Sequence, residues 1–177
     1  MQTILTITKT ILSVILLLFF HFIIAFFLPN PVNTINIFFI YFVLFIIGWE
    51  KSIVIWIAFF IFYIFELYSV VPLGFIIVPG IISVMTIYLL YVNVFTNRSW
   101  FTSFIMVVIA ISINRLLYLF LVYVLNYASG ISSIVIKNFF IDLFWELVLT
   151  SVISSLLFYL LSKKYNRFSR DKVNMIL

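Results

Sequence analysis

Three ionisable residues stand inside otherwise apolar stretches: Arg115, Asp142 and Glu146. A charge at the centre of a hydrocarbon layer costs about 2.5–3.5 kcal/mol on insertion scales, so each needs a reason to be there. Two carboxylates four residues apart share a helix face. That pair admits acid–base chemistry, with one group holding a proton while the other accepts one. With an arginine at the same level, the same residues form a charge network instead. Asp142, Glu146, Thr150 and Ser154 recur every four residues, and Ser112, Arg115 and Tyr118 make a shorter stripe. Three readings follow. The stripes form an interhelical contact neutralised by an ion pair, or they mark a solute or ion site, or they meet a partner protein. The first is preferred, and Arg115 is expected to pair with Glu146, with Asp142 as second partner.

The elements that carry these residues are apolar helices. Hydrophobic residues make up 67% of the 177-residue chain and charged residues 8%. A soluble domain carries about 25% charged residues, so this surface cannot be that of a globule in water. A helix needs about 20 apolar residues to cross a bilayer. Six stretches are predicted to do so: 4–28, 35–47, 53–67, 75–92, 100–125 and 134–161, followed by a basic tail, 162–177. The first is read as an uncleaved span, because Phe26-Phe27-Leu28-Pro29-Asn30 is bulky where a cleavage site needs small residues. Proline closes it at Pro29 and Pro31. The second and third are short, and a thin, tilted or partly interfacial pair is expected there, turning at Gly48-Trp49-Glu50-Lys51. By a rise of about 1.5 Å per residue, Arg115 and Glu146 lie about 15–18 Å below the shared 126–133 turn, and Asp142 about 12 Å below it.

Charge sets the orientation. Lys9, Lys51, Arg98 and the cluster from Lys163 to Lys172 fall at alternate ends of consecutive spans, and the intervening turns carry no Lys or Arg. Basic loops stay in the cytoplasm, so both termini are expected inside, with five crossings disfavoured. Trp49 and Trp100 lie at the inner boundaries, where amphipathic rings prefer to sit. Most of the net charge of +5 is in the tail, which suits anionic lipid rather than nucleic acid.

The remaining candidates point away from catalysis. The absence of cysteine removes disulfides and thiolate chemistry. His21, the single histidine, cannot assemble a metal site alone and reads as a packed or hydrogen-bonded core residue. Glu66 is expected near the outer interface, paired with Lys137 or reaching water. No nucleotide, hydrolase or zinc-protease fingerprint occurs. No enzyme activity, metal or cofactor is therefore expected.

The order of features resembles MreD, the small membrane component of the bacterial rod-shape machinery. The shared elements are a long first span ending in a proline turn, a short span, the charged turn at Trp49-Glu50-Lys51, and above all Phe65-Glu66-Leu67-Tyr68-Ser69-Val70-Val71-Pro72-Leu73-Gly74. That pattern is an acidic residue, then apolar and small residues, then Pro-x-Gly opening the next span. Glu66 stands where the family usually has aspartate. The resemblance implies an all-α polytopic membrane protein of the bacterial inner membrane, similar in fold to the substrate-binding subunits of energy-coupling-factor transporters. It implies a non-enzymatic scaffold contacting an MreC-like protein, a RodA-type glycosyltransferase with its transpeptidase, and indirectly MreB. The fold likeness gives an alternative, a small-molecule uptake subunit. The bulky run Ile11 to Phe19 lacks the small-residue motif with which such subunits dock.

Overall fold

The computed structural model describes residues 2–69, 71–95, 98–125 and 133–174, with side chains placed for 12–69, 71–95, 98–124 and 139–163. Among the described residues all regular structure is helical: α1 (Gln2–Phe27), a 3-10 turn (Val32–Thr34), α2 (Ile37–Trp49), α3 (Ile53–Leu67), α4 (Ile77–Asn93), α5 (Trp100–Leu125) and α6 (Ser133–Asn174). Among the described residues two segments, Trp100–Val124 and Phe139–Lys163, are long and apolar enough to cross a membrane. The backbone of α6 continues as helix into the basic tail as far as Asn174. Of the expected 126–133 turn, residues 126–132 lie outside the described residues, as do the side chains of Lys9 and Lys137.

α2 is the centre of the bundle, and it is short, as is α3, at 13 and 15 residues. It touches α1, α3, α4, α5 and α6. Phe38, Phe39, Phe42, Val43, Ile46 and Ile47 are all buried. A helix with no polar face has no side to offer water, so neighbours must enclose it or lipid must face it. Here neighbours enclose it, and 13 residues suffice because the helix lies within protein. Its ends also differ from the predicted ones. Asn36 caps the start, its Oδ1 accepting from the Phe39 N–H at 3.5 Å. At the other end Gly48 and Trp49 remain helical, and Glu50 makes the turn in the left-handed region at φ 54°.

The other helices each turn one face to this centre. α3 buries Val54, Ala58, Ile61 and Phe62, at helical spacing. Its opposite face exposes Trp56, Phe60 and Tyr63. α4 presents Gly80, Ser83, Val84 and Ile87. A Cβ on Gly80 would lie 2.5 Å from the Phe62 ring, so glycine is what lets α3 and α4 approach here. Pro79 sits in the first turn of α4, where a helix has no use for the missing N–H. α5 and α6 form the most extensive helix pair. Small and hydroxylated residues allow it: Ser103 and Ser154 share a hydrogen bond at 2.8 Å, and Ala110, Thr150 and Ser151 are buried.

Chain order places alternate connections at the same end. Arg98, just before α5, binds Glu50, just after α2, at 2.9 Å. This is the Glu50 end. At the opposite end lie the Pro29–Asn36 segment and the α3–α4 joint, and the candidate site is built there.

Candidate functional site

Glu146 is the anchor of the site. It is buried on α6, with 2% of its side chain exposed. The Arg115 Nε donates to its Oε2 at 2.6 Å, and Nη2 forms an ion pair with the same oxygen at 2.6 Å. The Asn36 side-chain amide donates to its Oε1 at 2.9 Å. One turn further along α6, the Thr150 hydroxyl oxygen accepts the Asn36 backbone N–H at 3.1 Å. Both carboxylate oxygens are thus occupied by donors from two other helix segments, α5 and the start of α2. A buried ion needs this much compensation, since an unpaired charge in a low-dielectric interior is strongly unfavourable.

Asn36 is the residue that sequence reasoning missed. The sequence reading puts it inside the span 35–47 and gives it no role. It caps α2 with one group and holds Glu146 with another, across 110 residues of chain. The signal available was an asparagine directly before an apolar helical run, which marks an N-cap. No signal gives its second partner.

Asp142 departs from the expected stripe. Glu146, Thr150 and Ser154 are buried, whereas Asp142 is exposed. Among the described residues it makes no ion pair with Arg115. The cause is geometric. Four residues rotate a helix by about 400°, so each step of the stripe drifts by about 40°. The one-turn offset also carries Asp142 toward the open end of the bundle. Arg115 spends its free guanidinium face differently, its Cζ lying 5.9 Å from the centre of the Phe139 ring. Of the shorter stripe on α5, Arg115 and Tyr118 face the same cavity, and Tyr118 meets Phe75 edge-on.

Glu66 is buried, 2% exposed, and so it does not reach water. Its Oε1 accepts the Ile76 backbone N–H at 3.0 Å. Ile76 precedes the first residue of α4, so the carboxylate at the end of α3 caps the next helix. Between them Pro72 starts the turn and Gly74 takes φ 101°, a conformation that suits glycine. The Ser69 hydroxyl closes the end of α3 on the Glu66 carbonyl at 2.8 Å. Glu66, Pro72 and Gly74 therefore work as one joint between α3 and α4. The other Glu66 oxygen, Oε2, is buried without a partner among the described residues.

His21 packs on aromatic rings, 4.2 Å from the centre of Phe38 and 5.4 Å from Phe65. It is not hydrogen-bonded through Nδ1, which is buried without a partner among the described residues. Among the described residues no three His, Asp or Glu side chains are grouped to hold a metal ion.

These elements surround a cavity of about 450 Å³. α1 contributes His21, the Pro29–Asn36 segment Asn33 and Asn36, α5 Asn114 and Arg115, and α6 Asp142 and Glu146. Phe38, Phe62 and Phe65 form its aromatic wall. The Asn33 Oδ1 is a further buried atom without a partner among the described residues. Glu146 fixes one side of this space with both oxygens engaged, while Asp142 has no ion-pair partner among the described residues.

The Glu50 end carries a second arginine–glutamate pair. Arg98 Nη2 binds Glu50 Oε1 at 2.9 Å with about half of each side chain exposed, and the Tyr91 hydroxyl donates to the same oxygen at 3.3 Å. The Arg98 hydrogen bond holds the Glu50 carboxyl below its ordinary value.

Comparison with family models, with curated proteins and with solved structures finds no match.

Proposed function

We propose that this protein is a non-enzymatic scaffold in the bacterial inner membrane, crossing it six times with both termini in the cytoplasm. In this reading it works as MreD does, in contact with an MreC-like protein and the elongation glycosyltransferase and transpeptidase, with the basic tail against anionic lipid. The observation that carries the reading is the α3–α4 joint. The residues that bear the family resemblance are tied into one structural unit by the Glu66–Ile76 hydrogen bond and the left-handed Gly74. Two features support the membrane setting. Large apolar side chains stand exposed on every helix, among them Leu16, Trp49, Phe60, Leu89, Phe120 and Phe144. A water-soluble monomer rarely exposes such continuous apolar surface. The Glu50–Arg98 pair joins the turn after α2 to the one before α5, which supports a shared end for these two connections.

The test is depletion in the native bacterium together with co-purification. Rod cells are expected to round up, and an MreC-like protein to co-purify. Normal cell shape on depletion, with no elongation protein recovered, overturns the scaffold. Reporter fusions after Leu177 and within 126–133 test the topology, and a periplasm-dependent reporter active at Leu177 overturns six crossings.

A second reading, a solute-binding membrane subunit, is favoured by the cavity. Its volume of about 450 Å³ lies in the usual range for small-ligand sites, and its lining mixes aromatic walls with a few convergent polar groups.

A further inference from the structure

We propose that the cavity at the Pro72 end binds a small organic cation, an amine carried on an apolar or aromatic body. The proposal deepens the solute-binding reading and rests on it. Two observations define the ligand. The first is charge. Arg115 is neutralised by Glu146, whose Oε1 is also taken by Asn36. Asp142 lines the same cavity and has no ion-pair partner among the described residues. The net charge presented by these three residues is therefore negative. The second is the wall. Phe38, Phe62 and Phe65 pack edge-to-face and tilted around His21, presenting ring faces and edges to an apolar body. Aromatic faces also attract cations.

The arrangement sets a position for the ligand. Asp142 lies one helical turn, about 6 Å, from Glu146 toward the open end of the bundle. Its exposure lets the ammonium reach it without displacing Arg115 from Glu146. The apolar body then lies deeper, against Phe38 and Phe65.

The experiment uses the full chain purified in detergent, titrated by calorimetry with three probes of one shape: phenethylamine, phenylethanol and 3-phenylpropionate. Phenethylamine is expected to bind at least tenfold more tightly than either of the others. Asp142→Asn is expected to weaken phenethylamine at least tenfold while leaving the melting temperature unchanged, because Asp142 is exposed and makes no ion pair among the described residues. Equal binding of the amine and the alcohol, or tighter binding of the carboxylate, overturns the cation proposal while the solute-binding reading stands. Binding of none of the three overturns both, leaving a cavity filled with water. An Asp142→Asn protein that binds the amine as well as the original overturns the assignment of Asp142. Should that variant melt lower, Asp142→Glu is the deciding protein, expected to restore both stability and amine binding.

Discussion

The chain makes the same ion pair twice, in opposite surroundings. Arg115–Glu146 joins α5 to α6 with 2% of the glutamate side chain exposed, and Arg98–Glu50 joins two loops with about half of each side chain in the open. The distances differ little, 2.6 and 2.9 Å. What differs is the consequence of losing a partner. An exposed pair competes with water and salt at every moment, and its net worth is small. A buried pair contributes little more than its parts when whole, but an orphaned half is a charge with nowhere to go. Burial therefore turns a weak interaction into a strong constraint on which helices can be neighbours.

The sharpest break of this comparison is Arg115→Leu. It leaves Glu146, 2% exposed, uncompensated and is expected to cost about 3–5 kcal/mol. Glu146→Leu should cost less, because 32% of the Arg115 side chain is exposed, and the double variant should be more stable than the sum of the two losses. Unfolding in detergent with a double-mutant cycle measures this, and strict additivity would show that the two residues do not interact.

The next effect is smaller because it removes a hydrogen bond and a cap without stranding a charge. Asn36→Ala takes one donor from Glu146 and the side-chain cap from α2. A loss of about 1–3 kcal/mol is expected in the same assay. A loss below about 0.5 kcal/mol, the low edge of cap effects, would mean that Arg115 alone satisfies Glu146.

Glu66 sharpens the comparison from another side, since it is buried with no cationic partner among the described residues. Glu66→Gln keeps an acceptor for the Ile76 N–H and should change stability by less than about 1 kcal/mol, whereas Glu66→Ala orphans that N–H and should cost about 1–3 kcal/mol. Equal losses for Gln and Ala would show that charge, not acceptance, holds the joint.

The smallest effect belongs to Glu50. Its pKa is held down by the Arg98 hydrogen bond, so its contribution is present above the ordinary glutamate value of 4.5 and is lost as pH falls through the lower folded value. Arg98→Gln is expected to shift the melting temperature slightly at pH 7, and the difference should vanish in high salt and in acid below pH 4.5. A shift that survives both conditions would mean that the pair is not the source.

These two regions were unequally legible in the sequence. Matching depth along two helices joined by a short connection placed Arg115 level with Glu146, because rise per residue is fixed and apolar runs have readable ends. Helix positions were readable within a few residues for the same reason, except the end of α6, which continues as helix to Asn174 past the predicted end at 161. The central place of α2 was not readable. A helix that is apolar all round carries no periodic signal telling lipid from protein. The Glu50–Arg98 contact was invisible too, since nothing in a loop's composition states which loop it will face. Glu66 misled for a related reason: an acidic residue near a helix end suggests water, and only the returning backbone at Ile76 shows that it caps a neighbour.

Asn36 has a further consequence, for the order in which the molecule is made. Its side-chain partner lies 110 residues later in the chain. At synthesis rates of about 5–20 residues per second, that interval lasts about 5–20 seconds. Throughout it the nascent chain carries the side of α2 that meets α6 uncovered, and the Asn36 amide without its carboxylate. Assembly of the centre is therefore a late event, and the ribosome must deliver α6 before α2 can be enclosed. A chain interrupted after α4 would hold every residue of the central helix and none of the residues on α5 and α6 that lock it in place.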